Sequence, residues 1–213
     1  MPINNESKAG SRGAVTQALS CETCGKSFKL LESVRAKYPG WTPKQCMACR
    51  SGKTTPADTP SEAASRFSAG PQSGIFTDGS SDPNPGPGGW GAVKVIDGEI
   101  IEQRAGREGQ TTNNRMELTA LIEAFKMTAE DEEIIVFSDS QYCVKTVNEW
   151  AAGWEKRGWK RKDGPIVNLD LVQELFALAR SRPRARVEWI RAHNGSRWNE
   201  YADALARAGQ VER

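Results

Sequence analysis

Residues 74–93 read GIFTDGSSDPNPGPGGWGAV, and this stretch decides the fold class. Ile75 and Phe76 begin an apolar strand that ends in the polar run TDGS, and a loop rich in proline and glycine follows. Beyond that loop, residues 90–106 carry two β-rich runs joined by Asp97-Gly98, a dipeptide typical of two-residue hairpin turns. The stretch and its continuation therefore predict three consecutive strands, of which the last two form a hairpin.

The remaining elements follow from apolar periodicity. Leu118, Leu121, Ile122 and Phe125 recur at helical spacing within residues 114–129, and the apolar run at 134–137 predicts a short buried strand. Ser140 is suited to cap a following helix. Further patterns predict a helix over 166–180, a strand over 186–191 and a closing helix over 196–208. Three strands followed by alternating helices and strands predict an α/β fold with a mixed sheet.

Composition divides the chain into four segments. Residues 1–19 are polar, without helical or strand period, and predict a flexible tail. Residues 20–53 predict a compact module between cysteine pairs. Residues 54–73 are rich in Ser, Thr, Pro, Ala and Gly and predict a linker. The large domain is expected over residues 74–213.

The overall composition is that of a globular protein. Of 213 residues, 38% are hydrophobic and 26% are charged, which excludes a fibrous or wholly disordered chain. No apolar run reaches the roughly 18 residues that a membrane span needs, and the N-terminus lacks the apolar core of a signal peptide. We therefore expect a soluble, cytoplasmic protein that does not bind membranes.

The net charge of +2 conceals a difference between the two ends of the chain. Ten of the 29 basic residues and only five of the 27 acidic ones lie within residues 1–70, which leaves 19 basic and 22 acidic residues for the remainder. A basic end favours contact with nucleic acid, whereas the remainder gathers carboxylates.

Four carboxylates are candidates for a metal site. Asp78 and Asp139 each follow an apolar strand, and ligand sites of layered α/β proteins are built at strand ends. Glu117 and Asp203 lie on predicted helices among apolar residues and are expected to face inward. Four acids at one rim repel one another unless divalent cations neutralise them, and oxygen-rich sites suit Mg²⁺ or Mn²⁺.

Each of these acids also has a purely structural interpretation. Asp78 could occupy a turn, and Asp139 could cap the helix that begins near Ser140. Glu117 lies three residues after Asn114, the spacing of a capping box, and Asp203 could face solvent. Spacing alone leaves both interpretations open.

Four of the five cysteines form two tight pairs, Cys21/Cys24 and Cys46/Cys49, with 21 residues between the pairs. This spacing is close to that of zinc ribbons, in which four thiolates hold a structural Zn²⁺. Disulfides are the alternative, which an intracellular location disfavours. The fifth cysteine, Cys143, lies on a predicted helix and is interpreted as a core residue.

Residues 150–162 read WAAGWEKRGWKRK and hold five basic residues, one acid and three tryptophans. Cations interleaved with aromatic rings favour binding to a nucleic-acid backbone. The alternative is an amphipathic helix with a solvated charged face and with Trp150 and Trp154 in the core. The acidic run at 131–133 is interpreted as a solvated loop.

Five motifs occur in an order that resembles the type 1 ribonuclease H family in its bacterial form: TDGSSDPNPGPGGWGAV, TTNNRMEL, SDSQYCV, WEKRGWK, and AHNG followed by NEYADALA. The resemblance extends from about Gly74 to Ala208. It implies a five-stranded mixed sheet flanked by helices, and an endonuclease that hydrolyses the RNA strand of RNA/DNA hybrids. A looser resemblance links CETCGKSFKL and PKQCMACR to small bacterial zinc ribbons.

The resemblance also implies roles for individual residues. Asp78, Glu117, Asp139 and Asp203 would bind two Mg²⁺ ions, with Mn²⁺ as an alternative, and the products would carry 5′-phosphate and 3′-hydroxyl ends. His193, the only histidine, would assist proton transfer or product release, although a lone histidine is more often structural. The residues expected to contact the hybrid are Asn84, Thr112, Asn113, Asn114, Gln141, Trp150, Trp154, Lys156, Arg157, Trp159, Lys160 and Asn168.

Thr112 and Asn168 match family positions that hold a phosphate of the DNA strand. The family often has an arginine two residues before that threonine, where this chain has Gln110, so we expect a weaker pocket or one that uses Arg107. We expect a monomer whose basic zinc module adds affinity for the hybrid or docks onto a protein partner. A non-catalytic hybrid-binding or adaptor protein is the competing interpretation, and the presence of all four acids argues against it.

Overall fold

The structure, a computed structural model, describes residues 15–20, 27–45, 59–192 and 194–210. The chain divides into an N-terminal unit that ends at Thr55 and a larger unit that begins at Pro56. His193 and the predicted zinc ligands Cys21, Cys24, Cys46 and Cys49 lie outside the described residues.

In the N-terminal unit, strands β1 (Val15–Ser20) and β2 (Ser27–Leu31) pair in antiparallel fashion, and helix α1 (Glu32–Lys37) follows directly. The tail predicted over residues 1–19 is therefore wrong from Val15 onward, because hydrogen bonds to β2 order this part of the chain. Tyr38 and Trp41 follow α1 with their rings edge to face, at 6.2 Å between centroids.

The larger unit starts with helix α2 (Pro60–Arg66). In chain order there follow β3 (Gly74–Ser81), β4 (Gly86–Ile96), β5 (Glu99–Thr111), α3 (Asn113–Lys126), β6 (Ile134–Ser138), α4 (Gln141–Lys145), a π-helical turn (Thr146–Trp150), α5 (Ala151–Lys156), α6 (Leu169–Ser181), β7 (Ala185–Trp189) and α7 (Arg197–Gln210). The strands are ordered β5-β4-β3-β6-β7, and β6 runs parallel to both of its neighbours while the other pairs are antiparallel. The predicted five-stranded mixed sheet is confirmed.

The hairpin between β4 and β5 forms as its turn residues predict. Asp97 (φ 51°) and Gly98 (φ 80°) both adopt the left-handed conformation that a two-residue hairpin turn requires. Strand β3 extends further than its apolar residues suggest, because residues 78–81 pair with residues 88–91 of β4. Asp78 consequently lies within a strand, and the turn interpretation of Asp78 is wrong.

Helices cover both faces of the sheet. On one face, Ile75, Val136 and Val187 pack against apolar side chains of α3 and α6. On the other, Phe76 and Phe137 stack at 4.9 Å between ring centroids and pack against Trp198 of α7. None of the helices in the described part of the chain is long and apolar enough to cross a membrane.

The linker predicted over residues 54–73 is wrong over Pro60–Arg66. Thr59 caps this helix, since its hydroxyl accepts the N–H of Glu62 and the Glu62 carboxylate accepts the N–H of Thr59. Ala63 and Ala64 are buried, and Ala64 shares a core cluster with side chains of α7. Small side chains, interpreted from composition as a sign of flexibility, here allow two helices to approach closely.

Three smaller expectations concern local contacts. Ser140 caps α4 as predicted, with its hydroxyl accepting the N–H of Cys143, and Cys143 itself is buried in the core. The acidic run at 131–133 is more than a solvated loop, because Glu132 forms an ion pair with Lys94 at 2.7 Å and Glu133 forms one with an arginine that precedes β7.

Candidate active site

Three carboxylates from different elements meet at one edge of the sheet. Asp78 lies in β3, Glu117 in α3, and Asp139 directly follows β6. Because Thr77 and Ser138 are register partners in the parallel pair of β3 and β6, the two aspartates are brought side by side. One carboxylate oxygen of each acid lies within 4.8 Å of those of the other two. This grouping has the geometry that a divalent cation requires.

Glu117 reaches the group because α3 starts close to β3. Thr112 caps α3, with its hydroxyl accepting the N–H of Arg115 at 3.4 Å, so the capping-box interpretation of Asn114 and Glu117 is wrong. Gly79 contacts the first turns of this helix, where a Cβ atom would overlap the backbone at residues 116–117. Only glycine permits this approach, which places Glu117 beside Asp78.

Burial and mutual repulsion disfavour the ionised forms of these acids. Burial raises the pKa of Asp78 well above its ordinary value, and the charges of Glu117, Asp139 and Asp203 raise it further. The pKa of Glu117 is raised for the same reasons, with burial again the largest cause. Atom Oε2 of Glu117 is buried without a hydrogen-bond partner among the described residues, which is costly for a carboxylate oxygen. A bound cation with a preference for oxygen ligands would satisfy that atom and remove the repulsion.

Asp203 joins the site from α7. Its carboxyl group is close enough to raise the pKa of Asp78 and is only slightly exposed, so the interpretation as a solvent-facing residue is wrong. Arg207, one helical turn later, donates from Nη2 to Oδ2 of Asp203 at 2.7 Å. Arg207 was not predicted from the sequence, although its spacing of four residues from Asp203 on a helix is the usual signal for such a pair.

Two further residues that were not predicted from the sequence hold Asp139. Asn199 donates from Nδ2 to the Asp139 carboxylate at 3.3 Å, and the indole N–H of Trp189 donates to the Asp139 carbonyl at 3.1 Å. Asn199 precedes Asp203 by four residues and therefore shares its face of α7. That spacing could have identified Asn199 from the sequence, whereas nothing local marks Trp189.

Two of the asparagines expected to contact the hybrid, Asn84 and Asn113, are linked by a hydrogen bond at the start of α3. Oδ1 of Asn113 accepts the N–H of Ser81 at 2.7 Å, and Oδ1 of Asn84 accepts the N–H of Asn113 at 3.3 Å. Asn114 and Gln141 are exposed in the first turns of α3 and α4. These amides thus surround the ends of the helices nearest to Glu117 and Asp139.

Thr112 and Asn168, the expected phosphate pair, both interact with Arg115. The backbone N–H of Arg115 donates to the Thr112 hydroxyl, whereas its guanidinium donates from Nη1 to Oδ1 of Asn168 at 3.5 Å and forms an ion pair with Asp170 at 3.0 Å. The amide nitrogen of Asn168 is buried without a partner among the described residues. Arg115 is therefore a cation in contact with Asn168, and the use of Arg107 stays a prediction.

Residues 150–162 agree in part with both interpretations, because tryptophan side chains pack inward while basic side chains are exposed. Trp154 is only 9% exposed and packs in the core, as the amphipathic-helix interpretation expects, and its contact with the hybrid stays a prediction. Trp150 contacts it at 5.8 Å between centroids, and Trp159 packs against the edge of Phe176. The cationic side chains remain exposed, namely Lys156, Arg157 and Lys160. Trp150, Trp154 and Arg157 line a depression of about 510 Å³.

Residues 71–211 match the family model of RNase H. The chain is 50% identical over 138 residues to the Ribonuclease H of Methylorubrum extorquens (strain PA1), covering 65% of this chain and 60% of that protein's length. It is also 50% identical over 136 residues to the Ribonuclease H of Herminiimonas arsenicoxydans, covering 63% of this chain and 92% of that protein.

Two solved structures have a similar fold. The crystal structure of LC9-RNase H1, described as a type 1 RNase H with the type 2 active-site motif, superposes with a TM-score of 0.54 at 31% identity, over 68% of this chain and 76% of that one. The solution structure of the PFV RNase H domain superposes with a TM-score of 0.56 at 22% identity, over 65% of this chain and 94% of that one. The second likeness concerns the fold alone.

Proposed function

The chain belongs to the ribonuclease H family and is a ribonuclease H, and we propose that it hydrolyses the RNA strand of RNA/DNA hybrids to 5′-phosphate and 3′-hydroxyl ends. One observation carries the proposal: the oxygens of Asp78, Glu117 and Asp139 converge within 4.8 Å in a chain whose relatives are named Ribonuclease H. Metal ions held at such a site promote phosphodiester hydrolysis, since they neutralise the negative charge of the phosphate during attack.

The proposed cofactor is Mg²⁺, two ions per site, with Mn²⁺ as a compatible substitute. Asp78, Glu117, Asp139 and Asp203 would hold the ions, whose chemistry is to activate a water and to neutralise the charge that develops on the phosphate. The unpartnered Oε2 of Glu117 supports this assignment, because it is a ligand atom without a protein donor among the described residues. Asn199 orients the carboxylate of Asp139, and Arg207 orients that of Asp203.

The hybrid is proposed to bind along the polar rim beside the acids. RNA is distinguished from DNA by its 2′-hydroxyls, which require hydrogen-bond donors and acceptors within a shallow groove. Asn84, Asn113, Asn114 and Gln141 offer such groups, while Lys156, Arg157 and Lys160 offer charge to the backbone further along. His193 precedes α7 in sequence, and we assign it proton transfer or product release.

The N-terminal unit is proposed to bind one structural Zn²⁺ through Cys21, Cys24, Cys46 and Cys49. Their spacing supports this, as does the pairing of Ser20 with Ser27, between which the first two cysteines fall in sequence. Metal analysis of the purified chain tests it, with one zinc per chain expected and less in Cys24→Ser. The unit is proposed to add affinity for the hybrid, with docking onto a protein partner as the alternative, in a monomeric enzyme.

Cleavage of an RNA/DNA hybrid labelled on the RNA strand tests the proposed function. We expect Mg²⁺-dependent cleavage of the hybrid and none of double-stranded DNA of the same sequence. Asp139→Asn should abolish cleavage while the thermal unfolding temperature is retained, because it removes charge without changing shape. Asp131→Asn, the same substitution at an exposed loop acid, is the matched control. Binding without cleavage by the unaltered chain would instead identify a non-catalytic hybrid-binding protein.

A further inference from the structure

Residues 59–70 precede the part of the chain that matches the family model, yet they pack within the same unit. Helix α2 has seven residues, and helices shorter than roughly 12 residues are marginal on their own in water. Its inward residues Ala63 and Ala64 are buried, and Ala64 belongs to the core cluster of Trp198 and Tyr201 on α7. Packing against α7 therefore stabilises this helix.

The chain that leaves α2 contacts the start of α7. Ala69 forms a parallel β-bridge with Ser196, and the carbonyl of Ala69 accepts the N–H of Arg197 at 2.9 Å. The first amides of a helix have no acceptor within the helix itself. The hydroxyl of Ser196, directly before the helix, has no hydrogen-bond partner among the described residues. Ala69 thus supplies an acceptor to the helix start from outside the helix.

Two more features keep this chain close to the first turn of α7. The indole N–H of the buried Trp198 donates to Oε1 of Gln72 at 3.3 Å. Gly70 has a φ of +92°, and a Cβ atom there would lie 2.5 Å from Oγ and 3.0 Å from Cβ of Ser196. Glycine at position 70 therefore allows the chain that leaves α2 to contact the start of α7.

Helix α7 carries two residues of the acidic site just beyond this turn. Asn199 donates to the Asp139 carboxylate, and the buried Asp203 accepts a hydrogen bond from Arg207. Because a helix is rigid over this distance, a shift of its first turn moves both side chains. A misplacement of about 1 Å at catalytic groups can reduce the rate by up to about a hundredfold.

We propose that residues 59–70, which we name the brace, position α7 for catalysis. Ala69 and Gly70 contact the residues at the start of α7. This contact sets the positions of Asn199 and Asp203 relative to the three acids outside α7. The residues of the brace are positioning residues, since they act through α7. The inference rests on the proposed function of the acidic site and adds to it a segment outside the family-matched region.

The test uses the full-length chain with Gly70→Ala, whose new Cβ atom meets Ser196. We expect kcat on the RNA/DNA hybrid to fall about tenfold, KM to stay within about twofold, and the affinity for Mg²⁺, measured by calorimetry without substrate, to fall. Gly164→Ala is the matched control, because Gly164 lies in the same unit and also has a positive φ (+96°) but has nothing within 4 Å of its Cβ position. It should leave kcat and metal affinity unchanged.

Two further variants separate positioning from loss of stability. Ser196→Gly removes both side-chain atoms that the new Cβ meets, so the double variant Gly70→Ala/Ser196→Gly should recover the part of kcat that is lost to this overlap, while the strain of alanine at a φ of +92° remains. Val172→Ala opens a cavity in the core beneath α6, away from α7, and destabilises the fold. Below the unfolding temperature of both variants, Gly70→Ala should lose kcat and metal affinity while Val172→Ala keeps them.

Equal kcat and equal metal affinity in Gly70→Ala and the unaltered chain would overturn the proposal that the brace positions α7. An unaltered chain that fails to cleave hybrids would overturn the proposed function instead, and the comparison of metal affinities would still decide the brace.

Discussion

Asn199 donates a hydrogen bond from Nδ2 to Oδ2 of Asp139 at 3.3 Å, across 60 residues of chain. Asn199 is only 2% exposed, and its own Oδ1 has no hydrogen-bond partner among the described residues. An amide that donates to one carboxylate oxygen fixes the orientation of the group and leaves the other oxygen for a cation. The contact therefore couples α7 to the acid that follows β6.

Replacing Asn199 with alanine should lower kcat by about tenfold or more, because partners of metal-binding side chains typically contribute 10- to 100-fold to metal affinity or activity. Single-turnover cleavage of the labelled hybrid at several Mg²⁺ concentrations measures this effect. Asn148→Ala is the matched control, since Asn148 also donates a partly buried hydrogen bond, to the carbonyl of Val187 at 2.9 Å, away from the acids. Unchanged turnover in Asn199→Ala would show that Asp139 needs no such partner.

The raised pKa values of Asp78 and Glu117 predict that stability without metal depends on pH. A carboxyl group whose pKa is higher in the folded state stabilises the fold at low pH, and this contribution is lost as pH rises through the folded-state pKa. From about pH 4 upward, the chain in EDTA should therefore lose stability relative to Glu117→Gln, which cannot ionise at that position.

Thermal unfolding of the chain and of Glu117→Gln in EDTA, followed from about pH 4.5 to about pH 8, measures this difference. Glu130→Gln, at an exposed position, is the control and should follow the unaltered chain. Added Mg²⁺ should raise the unfolding temperature of the unaltered chain more as pH rises, because ligands must be deprotonated to bind. Parallel curves for the chain and Glu117→Gln would contradict burial of the charge.

The sequence predicts those parts of the site that local patterns encode. The turn at Asp97-Gly98, the cap at Ser140 and the position of each acid follow from neighbours within a few residues. Partners from distant segments have no such signal: Asn199 meets Asp139 across 60 residues, and Arg115 meets Asn168 across 53. These pairs were not predicted because they depend on how the elements pack.

The error over the linker has a different cause. Residues 59–62 read TPSE, which is a capping box with proline at the first helical position and thus a local helix signal. The surrounding Ser, Ala and Gly residues are typical of a linker and predict the opposite. Composition alone does not distinguish a flexible segment from a helix with small buried residues. Ala64 packs in one cluster with Trp198 and Tyr201 of α7, where a larger side chain would have to displace them.

Arg115 is expected to contribute to binding of the DNA strand, in the place of the arginine that position 110 lacks. Arg115→Gln should raise KM for the hybrid about tenfold and reduce the salt dependence of binding by about one unit of slope, as removal of one cation from a phosphate does. Asp170→Asn is the informative control, because it removes the ion-pair partner of Arg115 and keeps the guanidinium beside Asn168.

If Arg115 binds a phosphate of the DNA strand, Asp170→Asn should leave the KM for the hybrid unchanged or lower it. An increase in KM of similar size in both variants would show that the ion pair acts only to hold α3 against α6. Gln110→Arg complements this test, and it should lower KM and steepen the salt dependence by adding a second cation near Thr112.

Truncation at two points separates the N-terminal unit from the brace. Removal of residues 1–58 eliminates nine basic and four acidic residues and leaves α2 complete. We expect kcat to persist, KM to rise and the salt slope to become shallower by about one unit for each phosphate that the N-terminal unit neutralises. Unchanged KM and salt slope would indicate that this unit serves a protein partner.

Removal of residues 1–70 also takes away the helix that covers Trp198 and the carbonyl that accepts from Arg197. Exposure of a buried aromatic side chain and removal of an acceptor at a helix start both destabilise the fold, so the unfolding temperature should fall below that of the shorter truncation. The kcat should also fall, because Asn199 and Asp203 lie on α7 and shift when this helix shifts. Equal unfolding temperatures and equal kcat in the two truncated chains would show that residues 59–70 act as a linker after all.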